Sequence, residues 1–262
     1  MRKDCWIQPQ SIQEELEDFF SEVDSDLSSF YEENPNTAEP QLDGSFIRSL
    51  TSKSFDLHAK RINAVRRRNR RQPVYLKIKA TPITATERTY GADIGLVARV
   101  SVPGEHEITK AALVQSKRLY PNMLNAFDEK CYYKELFGGN AKTKVLPQWK
   151  RMLDQTASSY YFLYNPERLR IGKNLQTLKT RVLPAQVVAG MATSRAVYTP
   201  TQSVKLNSFS EWIVEEFVCC NVGDTRENVV EIAMGSNPDF PVRHSVVVVL
   251  DANEARAEDF SR

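Results

Sequence analysis

Cysteine and histidine are scarce in this chain, and their placement excludes most of the chemistry built on them. The four cysteines, Cys5, Cys131, Cys219 and Cys220, show no C-x-x-C spacing, and adjacent Cys219 and Cys220 are poorly suited to holding one zinc ion together. Reduced, partly buried thiols are expected. The three histidines, His58, His106 and His244, are scattered and stand near no serine or cysteine nucleophile motif, so a hydrolase triad has no support. A P-loop and an internal repeat are also missing. No apolar run approaches the roughly 20 residues a membrane helix requires. Met1-Arg2-Lys3-Asp4-Cys5-Trp6 is not followed by the apolar stretch of a signal peptide. A cytoplasmic protein without membrane contact is the expectation.

What is present is an ordinary globular composition, 41% hydrophobic and 10% aromatic, in 262 residues that suffice for one large or two modest domains. Charge is nearly balanced in total but segregated along the chain. Residues 1–43 set Arg2 and Lys3 against twelve acids, a net of −10, which leaves +12 for the remainder of a chain whose total is +2. Within the acidic leader, Ser11-Ile12-Gln13-Glu14 reads as a capping box. Ile12, Leu16, Phe19, Phe20, Val23, Leu27 and Phe30 recur at helical spacing. This amphipathic helix is expected to pack on its own subunit or on a partner protein, and 34–40 reads as a polar connector to the core.

The basic body carries a dense run from Lys60 to Arg71, with Arg66, Arg67, Arg68, Arg70 and Arg71 as candidate contacts to a phosphate backbone. A solvated helix end, with cations favoured at the last turn, is the alternative.

The chemistry concentrates in the next segment. Ile94 to Val102 and Ile108 to Val114 are apolar runs joined across Pro103-Gly104, the pattern of a β-hairpin. Such a hairpin brings Asp93, at the start of one strand, beside Gln115-Ser116-Lys117 at the end of the next. Gln115 and Lys117 are two apart and share a face. A carboxylate and an amide or backbone oxygen are hard ligands suited to Mg²⁺. A cation so held makes a bound water nucleophilic and offsets phosphoryl charge, and the ammonium of Lys117 is placed to steady water or phosphate. Phosphodiester hydrolysis is the chemistry this set suits. Glu87 is a candidate second carboxylate: an unbroken strand would carry it roughly 20 Å from Asp93, but Thr89-Tyr90-Gly91 can fold it back. A solvated loop glutamate is the other reading. Gln148, on the helix predicted around 148–155, is a candidate facing the same cleft or the surface.

Asp93 followed by Gln115-Ser116-Lys117 resembles the PD-(D/E)xK nuclease superfamily, in the variant where Gln replaces the acid of the triplet, as in Mrr-type restriction enzymes. Ala92 stands where the family has proline. A helix predicted over 45–68, a strand over 74–80, the hairpin, the helix over 148–155 and a strand over 160–164 follow that superfamily's α-β-β-β-α-β order. The resemblance implies an α/β fold with a restriction-endonuclease-like core, a mixed central sheet flanked by helices. Asp93 becomes the metal carboxylate, Gln115 the second metal-side residue and Lys117 the catalytic lysine, with Mg²⁺ or Mn²⁺ as cofactor and DNA as substrate. It also implies a metal-dependent endonuclease of the bacterial restriction or phage-defence kind, possible as a homo-oligomer. A catalytically silent relative that binds nucleic acid or a partner is the alternative.

Three segments are therefore expected: 1–43 as acidic helix and linker, 44–165 as nuclease-like core, and 166–262 as a C-terminal α/β extension. Within the last, 182–188 reads as extended, 208–220 as helical, and Val246 to Leu250 as a strand apolar on both faces and so central in the sheet.

Overall fold

The computed structural model describes residues 7–83, 91–122, 126–133, 146–192, 199–219 and 221–253. Three helices come first: α1 (Gln10–Glu33), α2 (Glu39–Ser52) and α3 (Asp56–Arg68). Next are β1 (Tyr75–Pro82), β2 (Ala92–Val102), β3 (His106–Tyr120) and β4 (Tyr132–Tyr133). α4 (Gln148–Gln155), β5 (Ser159–Tyr164), β6 (Arg168–Ile171), β7 (Asn174–Thr177) and β8 (Arg181–Pro184) follow. The order ends with α5 (Ala185–Ala192), α6 (Pro200–Ser203), α7 (Phe209–Glu211) continuing as a π-helical segment Trp212–Val218, α8 (Glu227–Ala233) and β9 (Val242–Asp251).

The architecture is α/β. A mixed seven-stranded sheet runs β1-β9-β2-β3-β5-β8, with β4 on β3, and helices cover both faces. β2 pairs antiparallel with β3 and parallel with β9, while β3 pairs parallel with β5. β9 thus takes the central position its run of valines predicts, and by doing so it separates β1 from β2. Alternation along β2 divides the core. Ile94, Leu96, Ala98, Val100 and Val102 face a large cluster with α1, α2 and the π-helical segment, and Val97 faces a second cluster with α8 and Met152 of α4. Gly95 lets α8 sit directly on the strand, because a Cβ there would lie 2.0 Å from the carbonyl oxygen of Ala233.

Several local expectations shift. The helix predicted over 45–68 is two, broken where Lys53 turns extended and the Ser54 hydroxyl accepts the Asp56 N–H at 3.2 Å. No capping box closes the start of α1, which begins at Gln10 after Pro9 without a side-chain cap. The stretch 182–188 is extended only through Pro184 and then becomes α5. Cys219 is disulfide-bonded, which departs from the reduced thiols expected, whereas Cys131 is a buried free thiol.

α1 packs on its own chain. Ile12, Leu16, Phe19, Phe20, Val23 and Leu27 enter the large core cluster, and Tyr31 donates to the carbonyl of Leu119. Buried Asp24 accepts the Thr180 N–H with both oxygens at 3.2 Å, and burial raises its carboxyl pKa to about 6. Among the described residues no helix is long and apolar enough to cross a membrane.

Candidate active site

Strand register builds the site. Ile94 lies across from Val114 on β3 and beside His244 on β9, so the preceding step sets Asp93 between Gln115 and Arg243. Gln115 in turn pairs with Tyr161 on β5. A row Arg243, Asp93, Gln115, Tyr161 crosses the sheet at one end. The expected meeting of Asp93 with the triplet is therefore what the hairpin produces. Gln115 donates from Nε2 to Asp93 Oδ2, which also accepts the Ser116 backbone N–H at 2.9 Å. All three sequence-derived residues are buried: Asp93 is 4%, Gln115 3% and Lys117 5% exposed.

Two further acids come from α2 and were missed in the sequence. Asp43, 0% exposed, accepts the Tyr164 hydroxyl at 2.8 Å, and Arg243 Nη1 lies 3.3 Å from both Asp43 Oδ2 and Asp93 Oδ1. Glu39 stands 3.5 Å from Lys117 Nζ and accepts the Arg118 N–H at 3.3 Å. Residues 39–43 read as the end of an acidic leader, yet Glu39 and Asp43 are four apart, as helix neighbours must be. Leu42, Phe46 and Leu50 supply the apolar stripe of that helix. That spacing was the available signal.

The electrostatics are those of crowded carboxylates. Burial and the neighbouring charge of Asp93 push the Asp43 carboxyl up to about 8, against the pull of its hydrogen bonds and Arg243. Burial also holds Glu39 above its usual range despite Lys117 beside it. Tyr161 is fully buried in the same row with its hydroxyl unpartnered, and burial followed by the charge of Asp93 raises its pKa. Burial and Arg243 keep the neighbouring His244 imidazole below its ordinary pKa.

Among the described residues, no group of three or more His, Cys, Asp or Glu side chains converges to cage a metal ion. Mg²⁺ needs less, commonly one or two carboxylates with water filling the other positions. The Asp43 and Asp93 pair, with the Gln115 amide oxygen nearby, meets that demand in donor chemistry. Burial and the nearby Asp93 charge, which raise the Asp43 carboxyl, mark a place where added positive charge would be favourable.

The other candidates lie apart. Glu87 is outside the described residues. Gln148 opens α4, half-buried, and makes no hydrogen bond to the cluster. The arginine run sits at the opposite end of β2. Arg66 and Arg71 both pair with Glu105, at 2.6 and 3.2 Å, and Glu105 follows the Pro103-Gly104 turn, roughly 30 Å of strand away from Asp93. Arg66 is 0% exposed, with its Nε donating to the Gln72 carbonyl, so it is a structural cation and not a backbone contact. Arg67, Arg68 and Arg70 are exposed and Arg71 is half-buried.

No family model matches this chain, and no curated protein or solved structure matches it either.

Proposed function

We propose that this protein is a Mg²⁺-dependent deoxyribonuclease with a restriction-endonuclease-like core, a QxK relative of the PD-(D/E)xK enzymes acting in restriction or phage defence. The observation that carries the reading is the convergence of Asp93, Gln115 and Lys117 at one sheet end, with Asp43 bridged to Asp93 through Arg243. Asp93 and Asp43 would hold the cation. When bound, Mg²⁺ supplies a nucleophilic water and offsets charge on the phosphoryl group.

The chain's own residues do the positioning. Gln115 and the Ser116 N–H fix the Asp93 carboxylate, Tyr164 fixes Asp43, and Glu39 holds the Lys117 ammonium on the same strand face as Gln115. Lys117 is then a point charge for phosphate or water. Arg243, on the other side of Asp93, balances the two carboxylates.

One observation favours a second reading. Arg243 already supplies a cation to both carboxylates, as a buried structural network would require, and a catalytically silent nucleic-acid-binding or partner-docking protein needs no more. Incubating purified protein with plasmid, linear and single-stranded DNA, with and without Mg²⁺, separates the two. Metal-dependent cleavage supports the nuclease, and intact DNA under every metal condition supports the scaffold.

A further inference from the structure

The cations of α3 fall into two sets. Arg61 pairs with Glu15 at 3.4 Å, and Arg66 pairs with Glu105. Lys60, Arg67, Arg68 and Arg70 have no carboxylate partner among the described residues, and neither have Lys77 and Lys79 of β1. Lys60, Asn63 and Arg67 recur at helical spacing on one face, and that face lines a groove of 480 Å³ whose other wall is Pro73, Tyr75 and Lys77. β1 is the edge strand of the sheet, so this wall carries no further strand among the described residues.

A separate cavity of 240 Å³, lined by Lys79, Thr81, Val97, Arg99, Met234 and Ser245 among others, lies further along β1. β1 runs from the hairpin-turn end of the sheet toward the Asp93 end: Tyr75 is level with Asp251 and Ser101, and Pro82 with His244 and Ile94. Lys77 and Lys79 are two apart and share a face. Lys77 and Lys79, without carboxylate partners among the described residues, thus extend from the groove along β1 toward the sheet end that holds Asp93.

We infer that the α3 and β1 groove is an anchor for the phosphate backbone of a nucleic acid strand, with Lys60, Arg67 and Lys77 as phosphate contacts and Tyr75 as a stacking surface. Three cations without a carboxylate partner among the described residues, set in a groove with the single acid Asp56 and an aromatic ring, suit a polyanion with flat bases. Lys77 is level with Arg99, six residues from Asp93 along β2. That is about 20 Å, and with Tyr75 included the span is about six to eight nucleotides at 3.4 Å each. The groove would therefore measure substrate length. This last part rests on the nuclease reading, whereas the anchor itself does not.

The test uses fluorescence anisotropy with labelled single-stranded and duplex oligonucleotides, comparing wild type with the Lys60→Gln, Arg67→Gln, Lys77→Gln triple variant. Lys60 and Arg67 are exposed and Lys77 is half-buried, and Arg61→Gln serves as a control that removes a cation already paired. The triple variant should lower the slope of log affinity against log salt by about 2 to 3, since each phosphate contact contributes about 0.7 to 0.9. The control should leave it unchanged. In cleavage, strands of about 20 nucleotides should lose their advantage over strands of about 6 in the triple variant, while the rate on the short strand holds. An unchanged slope in the triple variant, an equal loss in the control, or no binding by wild type would overturn the anchor. Lost binding in the triple variant of a protein that cleaves nothing would support the anchor and refute the nuclease reading.

Discussion

Replacing Arg66 by Gln should unfold the protein more readily and leave the proposed DNA binding unchanged. Its guanidinium is fully buried, donates to the Gln72 carbonyl, and lies 2.6 Å from Glu105, which also holds Arg71 at 3.2 Å. One substitution thus deprives two acceptors of their donor and leaves a partly buried carboxylate with a single half-exposed partner. Breaking a buried pair from one side costs about 3–5 kcal/mol. Arg71 still serves Glu105, so the lower end of that range is expected. Exposed Arg67, Arg68 and Arg70 should each stay within about 0.5 kcal/mol of wild type when changed to Gln. Urea denaturation measures the first quantity, and a salt titration of DNA binding measures the second. Arg66→Gln should shift the urea midpoint and spare the salt slope, whereas each exposed arginine that contacts phosphate should do the reverse, lowering the slope by about 0.9. Stability within 1 kcal/mol of wild type, or a slope change like that of Arg67→Gln, would refute the assignment of Arg66 to structure.

Asp24→Asn should stabilise the protein at neutral pH and flatten its pH dependence. The folded carboxyl keeps its proton up to about 6 and the unfolded one releases it near 3.8, so this group's contribution is greatest below 3.8 and is lost as pH rises to about 6. The difference is on the order of 3 kcal/mol, read from urea midpoints at pH 4 and pH 7, and equal slopes in both proteins would contradict it. Gly95→Ala should cost at least about 1–3 kcal/mol, since its Cβ would sit 2.0 Å from the Ala233 carbonyl and lift α8 from β2; an unchanged melting temperature would refute this. Asp43→Asn should reduce metal-dependent turnover at least about tenfold while the circular dichroism spectrum remains that of wild type, and full activity would remove Asp43 from the site.

The parts that could be read from the sequence were those set by period and turn chemistry. Pro103-Gly104 between two apolar runs fixed the β2 and β3 hairpin, and with it the meeting of Asp93 and Gln115, because register follows from a short turn. The valines of β9 announced a strand buried on both faces, but not its insertion between β1 and β2, since strand order depends on long-range pairing. Glu39 and Asp43 were hidden by their neighbourhood: net charge over 1–43 describes a segment, whereas the site depends on which face of α2 packs against the sheet. Within the arginine run the sequence did not separate Arg66, which is buried and paired with Glu105, from its exposed neighbours, because burial depends on which face of α3 packs; α3 ends beside the hairpin turn, and the length of β2 separates it from Asp93.

The most direct measurement of the central claim is cleavage of plasmid DNA with and without Mg²⁺ by wild type, Asp93→Ala and Lys117→Ala, each checked for folding and for DNA affinity. The expected result is metal-dependent cleavage by wild type that both variants lose while affinity holds, because charges acting in the transition state govern turnover more than binding. Cleavage at the wild-type rate by either folded variant, or no metal-dependent cleavage by wild type, would contradict the account.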